Sequence, residues 1–251
     1  MNLTTVITKR DNKTIYRDGE KIIKLMNENY TAVNALNEAL NHAIVSDTGF
    51  KVPKIHEVIK IDGKWGIVME YIEGKTLAVL MEENPGKEDE YIDLFVDLQI
   101  KMHEYRAPRL SHLTDKMHQK ISETAGIFDA TVRYELHTRL NGQPKQNNLC
   151  HGDFGPGNII ITPQGETYVI DWSHATQGNA NGDVARTFLR SHLAKKDAWA
   201  EKYINVYCKK SDTARQDIEK WMAIVAASQS VKRVPEEKDL LLRWANVIEY
   251  E

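Results

Sequence analysis

Cysteine is scarce in this chain. Cys150 and Cys208 are its only two, too few for a disulfide framework or a zinc set, so a reduced, cytoplasmic setting is expected. Neither sign of charge dominates. The 33 Lys and Arg against 36 Asp and Glu leave a formal net charge of −3, which gives no reason to expect nucleic-acid binding. No apolar run reaches the length of a membrane span, and the opening MNLTTVITKR lacks the apolar core of a signal peptide. Internal repeats and low-complexity tracts are missing too. What is present is an ordinary globular composition, 41% hydrophobic and 27% charged over 251 residues. That length can bury a substantial core, in two lobes or one large domain.

The most informative stretch is Leu149 to Ser173, LCHGDFGPGNIIITPQGETYVIDWS. Asn158 to Thr162 and Thr167 to Ile170 are β-branched runs, joined by the turn Pro163-Gln164-Gly165-Glu166. That pattern predicts a hairpin. Asp153 and Asn158 precede its first strand and Asp171 follows its second, so the three polar groups are expected at one mouth. Singly, such residues are ordinary turn formers. As an ordered set they match a specific chemistry. Phosphoryl transfer from ATP needs oxygen ligands for Mg²⁺ and a carboxylate to accept or orient the proton of the attacking hydroxyl. Kinases supply these as H-R-D, an Asn five residues after the Asp, and a downstream D-F-G. Here His151-Gly152-Asp153 takes the first place, Asn158 lies five residues beyond Asp153, and Asp171-Trp172-Ser173 takes the third.

HGDFGPGN followed by VIDW resembles the aminoglycoside phosphotransferase and choline kinase branch of the protein-kinase-like superfamily. The resemblance implies Asp153 as catalytic base, Asn158 and Asp171 as Mg²⁺ ligands, and His151 as a buttress of the loop. It implies ATP, or GTP, as phosphoryl donor. It also implies that the Asp of the later G-D-x-A motif, Asp183, braces the catalytic loop without doing chemistry.

The first third predicts β-structure with one helix. Leu3–Thr8, Lys13–Arg17 and Glu20–Met26 are strand candidates, and Val33, Leu36, Leu40 and Ile44 recur at helical spacing within Tyr30–Val45. A Gly-rich phosphate loop is missing, since the first turn offers only Asp11 and Asn12. By resemblance Lys24 grips the α- and β-phosphates, with Lys21 as competitor on the opposite face, and Glu38 pairs with Lys24. A strand from Val52 and another over Trp65–Ile72 complete the sheet. The stretch V-M-E-Y-I-E-G resembles the segment joining the two lobes, which makes Met69 the back of an adenine pocket and assigns the adenine-edge backbone bonds to Glu70 and Ile72. A lobe boundary near residue 73 follows, with 1–73 binding nucleotide and 74–251 carrying catalysis and substrate.

The remainder predicts helices. One covers Glu88–Tyr105 with Tyr91, Leu94, Phe95, Leu98, Met102 and Tyr105 on one face, and His103 is expected to pack. Two more cover Thr114–Ala125 and Asp129–Leu140. Asp183 is expected to open the next helix as an acidic N-terminus; Arg186 and Arg190, one turn apart on that helix, read as a solvated face, with reach to an acidic substrate as the alternative. Ala198–Cys208, Asp212–Arg233 and Glu236–Ile248 close the chain. A cationic substrate would call for acids such as Asp183, Glu219, Glu236, Glu237, Glu249 or Glu251. Trp221 and Trp244 read as core aromatics, with stacking on a ring or amine as the alternative.

The expectation is therefore an α+β, two-lobed, protein-kinase-like fold, with a small antiparallel sheet lobe bearing one helix and a helical lobe carrying the catalytic hairpin. Its expected activity is transfer of the γ-phosphoryl group to a hydroxyl of a small molecule, an aminoglycoside, a choline-like compound or another metabolite. A protein kinase and a nucleotide-binding regulator without catalysis are the alternatives. Neither nucleic acid nor membrane is an expected partner, and the oligomeric state is left open.

Overall fold

The structure is a computed structural model that describes residues 3–10 and 12–246. Asp11, Ile248, Glu249 and Glu251 lie outside the described residues. In chain order the elements are β1 (Thr5–Arg10), β2 (Lys13–Asp18), β3 (Lys21–Met26), α1 (Ala32–Asp47), β4 (Ile55–Ile61), β5 (Lys64–Glu70), β6 (Lys75–Thr76) and α2 (Leu77–Glu83). They continue with α3 (Glu88–Glu104), α4 (Leu113–Glu123), α5 (Ala130–Asn141), β7 (Asn148–Cys150), β8 (Ile159–Ile161), β9 (Thr167–Val169) and β10 (Thr176–Gly178). Five helices follow: α6 (Ala180–Leu193), α7 (Asp197–Ser211), α8 (Arg215–Glu219), α9 (Met222–Ser230) and α10 (Lys238–Ala245). Among the described residues no helix is long and apolar enough to cross a membrane.

The chain divides into two compact units, Met1–Gly86 with Gly155–Ala175, and Lys87–Phe154 with Thr176–Glu251. The first unit holds a five-stranded antiparallel sheet in the order β1-β2-β3-β5-β4. Its β4–β5 hairpin closes through Asp62-Gly63, whose φ values of 47° and 83° are both positive, as a type I′ two-residue turn demands. β3 and β5, central and β-branched, bury Ile23, Met26, Ile67 and Val68. A second sheet, β6-β8-β9, contains the predicted hairpin, with Ile159 paired to Val169. Trp172 anchors it, buried edge-on against Phe50 at 5.7 Å and donating its indole N–H to the Val169 carbonyl at 3.0 Å.

Helix α1 departs from the expected orientation. Val33, Leu36 and Leu40 are exposed, whereas Ala35, Glu38, Ala39, His42, Ile44 and Val45 are buried. The apolar spacing named the wrong stripe because two polar side chains on the inward face have partners there, and a paired polar group can be buried at little cost. One is His42, whose Nε2 lies 2.6 Å from the Pro53 carbonyl; the other, Glu38, belongs to the site below.

The second unit is helical around a short β7–β10 ladder. Phe95 of α3 sits at its centre, with the rings of Phe154, Trp199 and Tyr203 at 4.7, 5.3 and 5.4 Å. Helix α6 begins at Ala180 with Asn179 as its cap, the Asn179 side chain accepting from the Asn181 N–H at 2.9 Å. Asp183 therefore lies inside the first turn and is not the cap. The expected helix over Asp212–Arg233 is broken: Asp212 takes a left-handed conformation, and a tight turn, Trp221 N–H to the Ile218 carbonyl at 3.0 Å, separates α8 from α9. Trp221, at that break, is buried against α6. The indole carbons lie within 3.0 Å of where a Cβ on Gly182 would stand.

Gly178 and Gly182 let β10 and α6 approach Leu113 of α4. Gly178→Ala is expected to cost about 1–3 kcal/mol through overpacking, read as a lowered urea midpoint. Gly86→Ala, with open space at its Cβ position, serves as the neutral control.

Candidate active site

Each unit carries one set of the candidate residues. In the first, β3 presents Lys24 inward, only 4% exposed, and α1 presents Glu38, 6% exposed. The Lys24 ammonium donates to the Glu38 carboxylate and, at 2.8 Å, to Oδ1 of Asp171. Lys13, the first residue of β2, donates to Oδ2 of the same carboxylate at 2.7 Å. Asp171 sits where β9 ends, in the left-handed region at φ 67° and ψ 58°, a strained conformation that Asp tolerates better than most residues. Asn158 stands at the other side of the hairpin base, its carbonyl accepting from the Ile170 N–H at 2.9 Å. The geometry thus joins Lys24, Glu38 and Asp171, and brings the Asn158 backbone against Ile170, the residue before Asp171.

Electrostatics follow from that packing. Burial pushes the Asp171 carboxyl up, but the ammonium groups of Lys24 and Lys13 outweigh it and hold the carboxyl far below the usual range. Burial likewise opposes the charge of Lys24, and the carboxylates of Asp171 and Glu38 reverse it, so Lys24 ends above its ordinary value. Lys13 goes the other way, lowered by burial and by the neighbouring Lys24 charge. Lys21, the competitor of Lys24, is exposed at the start of β3.

Met69 packs against the cluster of Met26, Ala39 and Ile67. The Glu70 N–H is spent on the Lys54 carbonyl at 2.8 Å and the Tyr71 N–H on the Glu20 carbonyl at 2.9 Å. Among the described residues the Ile72 N–H has no backbone partner. Of the two adenine-edge candidates, then, Glu70 can offer only its carbonyl, while Ile72 can donate.

In the second unit His151 is fully buried, and its Nδ1 accepts from the Asp153 N–H at 3.1 Å. Asp183, fully enclosed, accepts from the Gly152 N–H at 2.7 Å and the His151 N–H at 3.3 Å. His103 Nε2 lies 3.1 Å from the same carboxylate, and its Nδ1 lies 3.2 Å from the Tyr207 hydroxyl. His103 is therefore more than packing. Burial raises the Asp183 carboxyl, but the His103 contact and the backbone N–H groups bring it below its ordinary value. Asp153 itself pairs with Arg190. Arg186 is buried, not solvated, and donates its Nε–H to the Gly152 carbonyl. Cys150 is wholly buried, and burial pushes its thiol up, away from reactivity.

The acids considered for a cationic substrate are otherwise engaged or open to water. Glu219 pairs with Arg215 at 2.8 Å, Glu237 accepts from Gln229 at 2.8 Å, and Glu236 is exposed. Trp221 is core, and Trp244 stacks on Phe188 with centroids 6.0 Å apart.

The sequence profile of the phosphotransferase enzyme family matches residues 4–221. The chain belongs to that family. Its fold is the protein-kinase-like α+β fold of solved phosphotransferases. A thermostable variant of aminoglycoside phosphotransferase APH(4)-Ia, in ternary complex with AMP-PNP and hygromycin B, is 14% identical with a TM-score of 0.69, covering 97% of this chain and 94% of its own. The type VIII aminoglycoside-3′-phosphotransferase is 16% identical with a TM-score of 0.68, covering 91% and 94%. The choline kinase LicA from Streptococcus pneumoniae is 19% identical with a TM-score of 0.63, covering 95% and 86%. No characterised protein in the curated collections matches the sequence. Family membership makes the chain a small-molecule phosphotransferase.

Two residues of this phosphotransferase escaped the sequence reading. Lys13 was legible in principle, because Ile15 pairs with Lys24 and Lys13 pairs with Met26, which puts Lys13 and Lys24 on one face as diagonal neighbours. Arg190 read as a helix charge or a contact to an acidic substrate, and its pairing with Asp153 was hidden because it is non-local.

Lys24→Met would leave the carboxylates of Glu38 and Asp171 without their shared cation. The expected cost is about 3–5 kcal/mol in the urea-extrapolated stability, with Lys13→Met costing less because Asp171 keeps Lys24. Folding lowers the Asp183 carboxyl, so its stabilisation is complete above the ordinary aspartate pKa of about 3.9 and is lost as pH falls through the folded value. Asp183→Asn should therefore lower stability at pH 7 and flatten the acid limb of stability against pH, both measured by urea titration.

Proposed function

We propose that this phosphotransferase moves the γ-phosphoryl group of ATP, with GTP as the alternative donor, to a hydroxyl of a small molecule. The acceptor oxygen attacks the γ-phosphorus, the hydroxyl proton passes to the Asp153 carboxylate, and the bond to the β,γ-bridging oxygen breaks with its electron pair leaving on the nucleoside diphosphate. Residues 1–73 bind the nucleotide, with the Glu70 carbonyl and the Ile72 N–H on the adenine edge and Met69 behind it. Residues 74–251 provide catalysis and the acceptor site. Lys24, held between Glu38 and Asp171, orients the phosphates. The observation that carries this reading is that buried ammonium, clasped by two carboxylates from distant parts of the sequence.

The residues present suit Mg²⁺. Asp171 and Asn158 are hard oxygen donors of the kind it takes, and both oxygens of Asp171 already attract cations, Lys13 and Lys24. Bound there, Mg²⁺ would neutralise charge on the phosphate oxygens. Lys13 keeps the Asp171 carboxylate ionised and oriented, and Asp183 with His103 fixes the backbone of His151 and Gly152 so that Asp153 is presented in one geometry.

The test is Mg²⁺-dependent ADP release from ATP across neutral, cationic and anionic hydroxylated acceptors. Asp153→Asn is expected to lower turnover by roughly 10²–10⁴ while ATP still binds. Full turnover in that variant would remove Asp153 as base, and an enzyme that binds neither ATP nor GTP would overturn the reading.

A further inference from the structure

The second unit gathers cations around Asp153 with few acids to answer them. Helices α4 and α6 both pack on α9. Lys116 and Lys120 lie one turn apart on α4, half-buried. Arg186 and Arg190 lie one turn apart on α6, the first 5% exposed. Lys232 follows the end of α9 and is exposed. The Arg186 guanidinium binds the Gly152 carbonyl through Nε, but its buried Nη2 has no hydrogen-bond partner among the described residues. No ion pair engages Lys120 or Lys232 among the described residues. The carboxylates within reach are largely committed: Asp153 to Arg190, Asp183 to His103 and two backbone N–H groups, Glu237 to Gln229.

A buried guanidinium N–H left unpaired beside further like charges is costly, and such arrangements persist where a ligand supplies the missing charge. The overall composition does not produce it, because the chain is net acidic. We infer that this basic cluster is the acceptor site, and that the acceptor carries an anionic group, a carboxylate or a phosphate monoester, beside the hydroxyl that is phosphorylated. This rests on the phosphotransferase reading above. Arg186 Nη2 offers a directed donor to that anion, the planar fork suiting carboxylate and phosphate oxygens, while Lys120 and Lys232 add unpaired charge at the rim. The lysine titrations run the same way: burial first, then the charge of Arg186, bring Lys116 down to about 8 and Lys120 to about 7. Glu123 is the one carboxylate opposing this at Lys120. The same field repels an aminoglycoside or a quaternary amine, so charge selects against the ligands that the solved relatives' names suggest.

The experiment is calorimetric titration of the full chain, saturated with Mg²⁺ and AMP-PNP, using inorganic phosphate and D-glycerate as probes, with choline and kanamycin as competitors. Saturable binding of an anion that neither cation displaces is expected. A tighter phosphate marks a phosphate monoester as acceptor, and a tighter glycerate marks a carboxylate. Arg186 is left unchanged because its burial makes a variant prone to misfold. The doubly substituted Lys120→Gln, Lys232→Gln protein, checked for an unchanged melting temperature, should bind the preferred anion at least tenfold more weakly. Absence of saturable anion binding, or equal binding by that variant, would overturn the inference. ADP release with choline or kanamycin but no anion binding would overturn it while leaving phosphoryl transfer in place. Anion binding with no ADP release from any acceptor would keep the anion site and sink the transfer.

Discussion

A charge removed from water needs a partner of opposite sign at hydrogen-bond distance, and this requirement organises both units. In the first, the ammonium of Lys24 draws Glu38 from α1 and Asp171 from the end of β9 onto one point of the central strand. Desolvation of three ionised groups is tolerated only because each offsets another. The arrangement locks the inward stripe of α1, overriding the more apolar stripe of Val33, Leu36 and Leu40. In the second unit the Asp183 carboxylate plays the same part, tying α6 to the backbone of His151 and Gly152 and to His103 of α3.

Where the rule is satisfied, the chain gains rigid geometry; where it is left open, a charge stays available to a ligand. The Lys24 and Asp183 networks are closed, and they hold residues that must not move if a hydroxyl is to meet a phosphorus atom in line. Around Arg186 the account does not balance. Cations from α4, α6 and the end of α9 converge with an unsatisfied guanidinium N–H among them. The family relationship describes the chemistry of the transferred group, whereas the acceptor role inferred for this cluster rests on the imbalance alone. Related phosphotransferases can keep one transfer apparatus and exchange the charge lining the acceptor site, since the two depend on different side chains.

Much of the fold was legible in local sequence. The β-branched runs flanking Pro163 to Glu166, the Asp62-Gly63 turn and the Asp129 cap, whose side chain accepts from the Val132 N–H at 2.9 Å, each announce their element through short-range chemistry. The order His151, Asp153, Asn158, Asp171 was readable because chemistry constrains residue types and spacing together. Less visible were the two-residue strand β6, the helix α2 beyond it, and the break at Trp221, which depend on what each segment packs against.

The linear sequence by itself determined most of the element types, the family and the identities of the candidate catalytic groups, because these reside in local propensity and in ordered motifs. Tertiary structure alone decided that Lys13 shares Asp171 with Lys24, that Arg190 holds Asp153, and that Arg186 is buried with a donor to spare. The reason is distance along the chain: Lys13 and Asp171 are separated by 158 positions. Whether two charges become partners or rivals is settled only when folding removes the water between them.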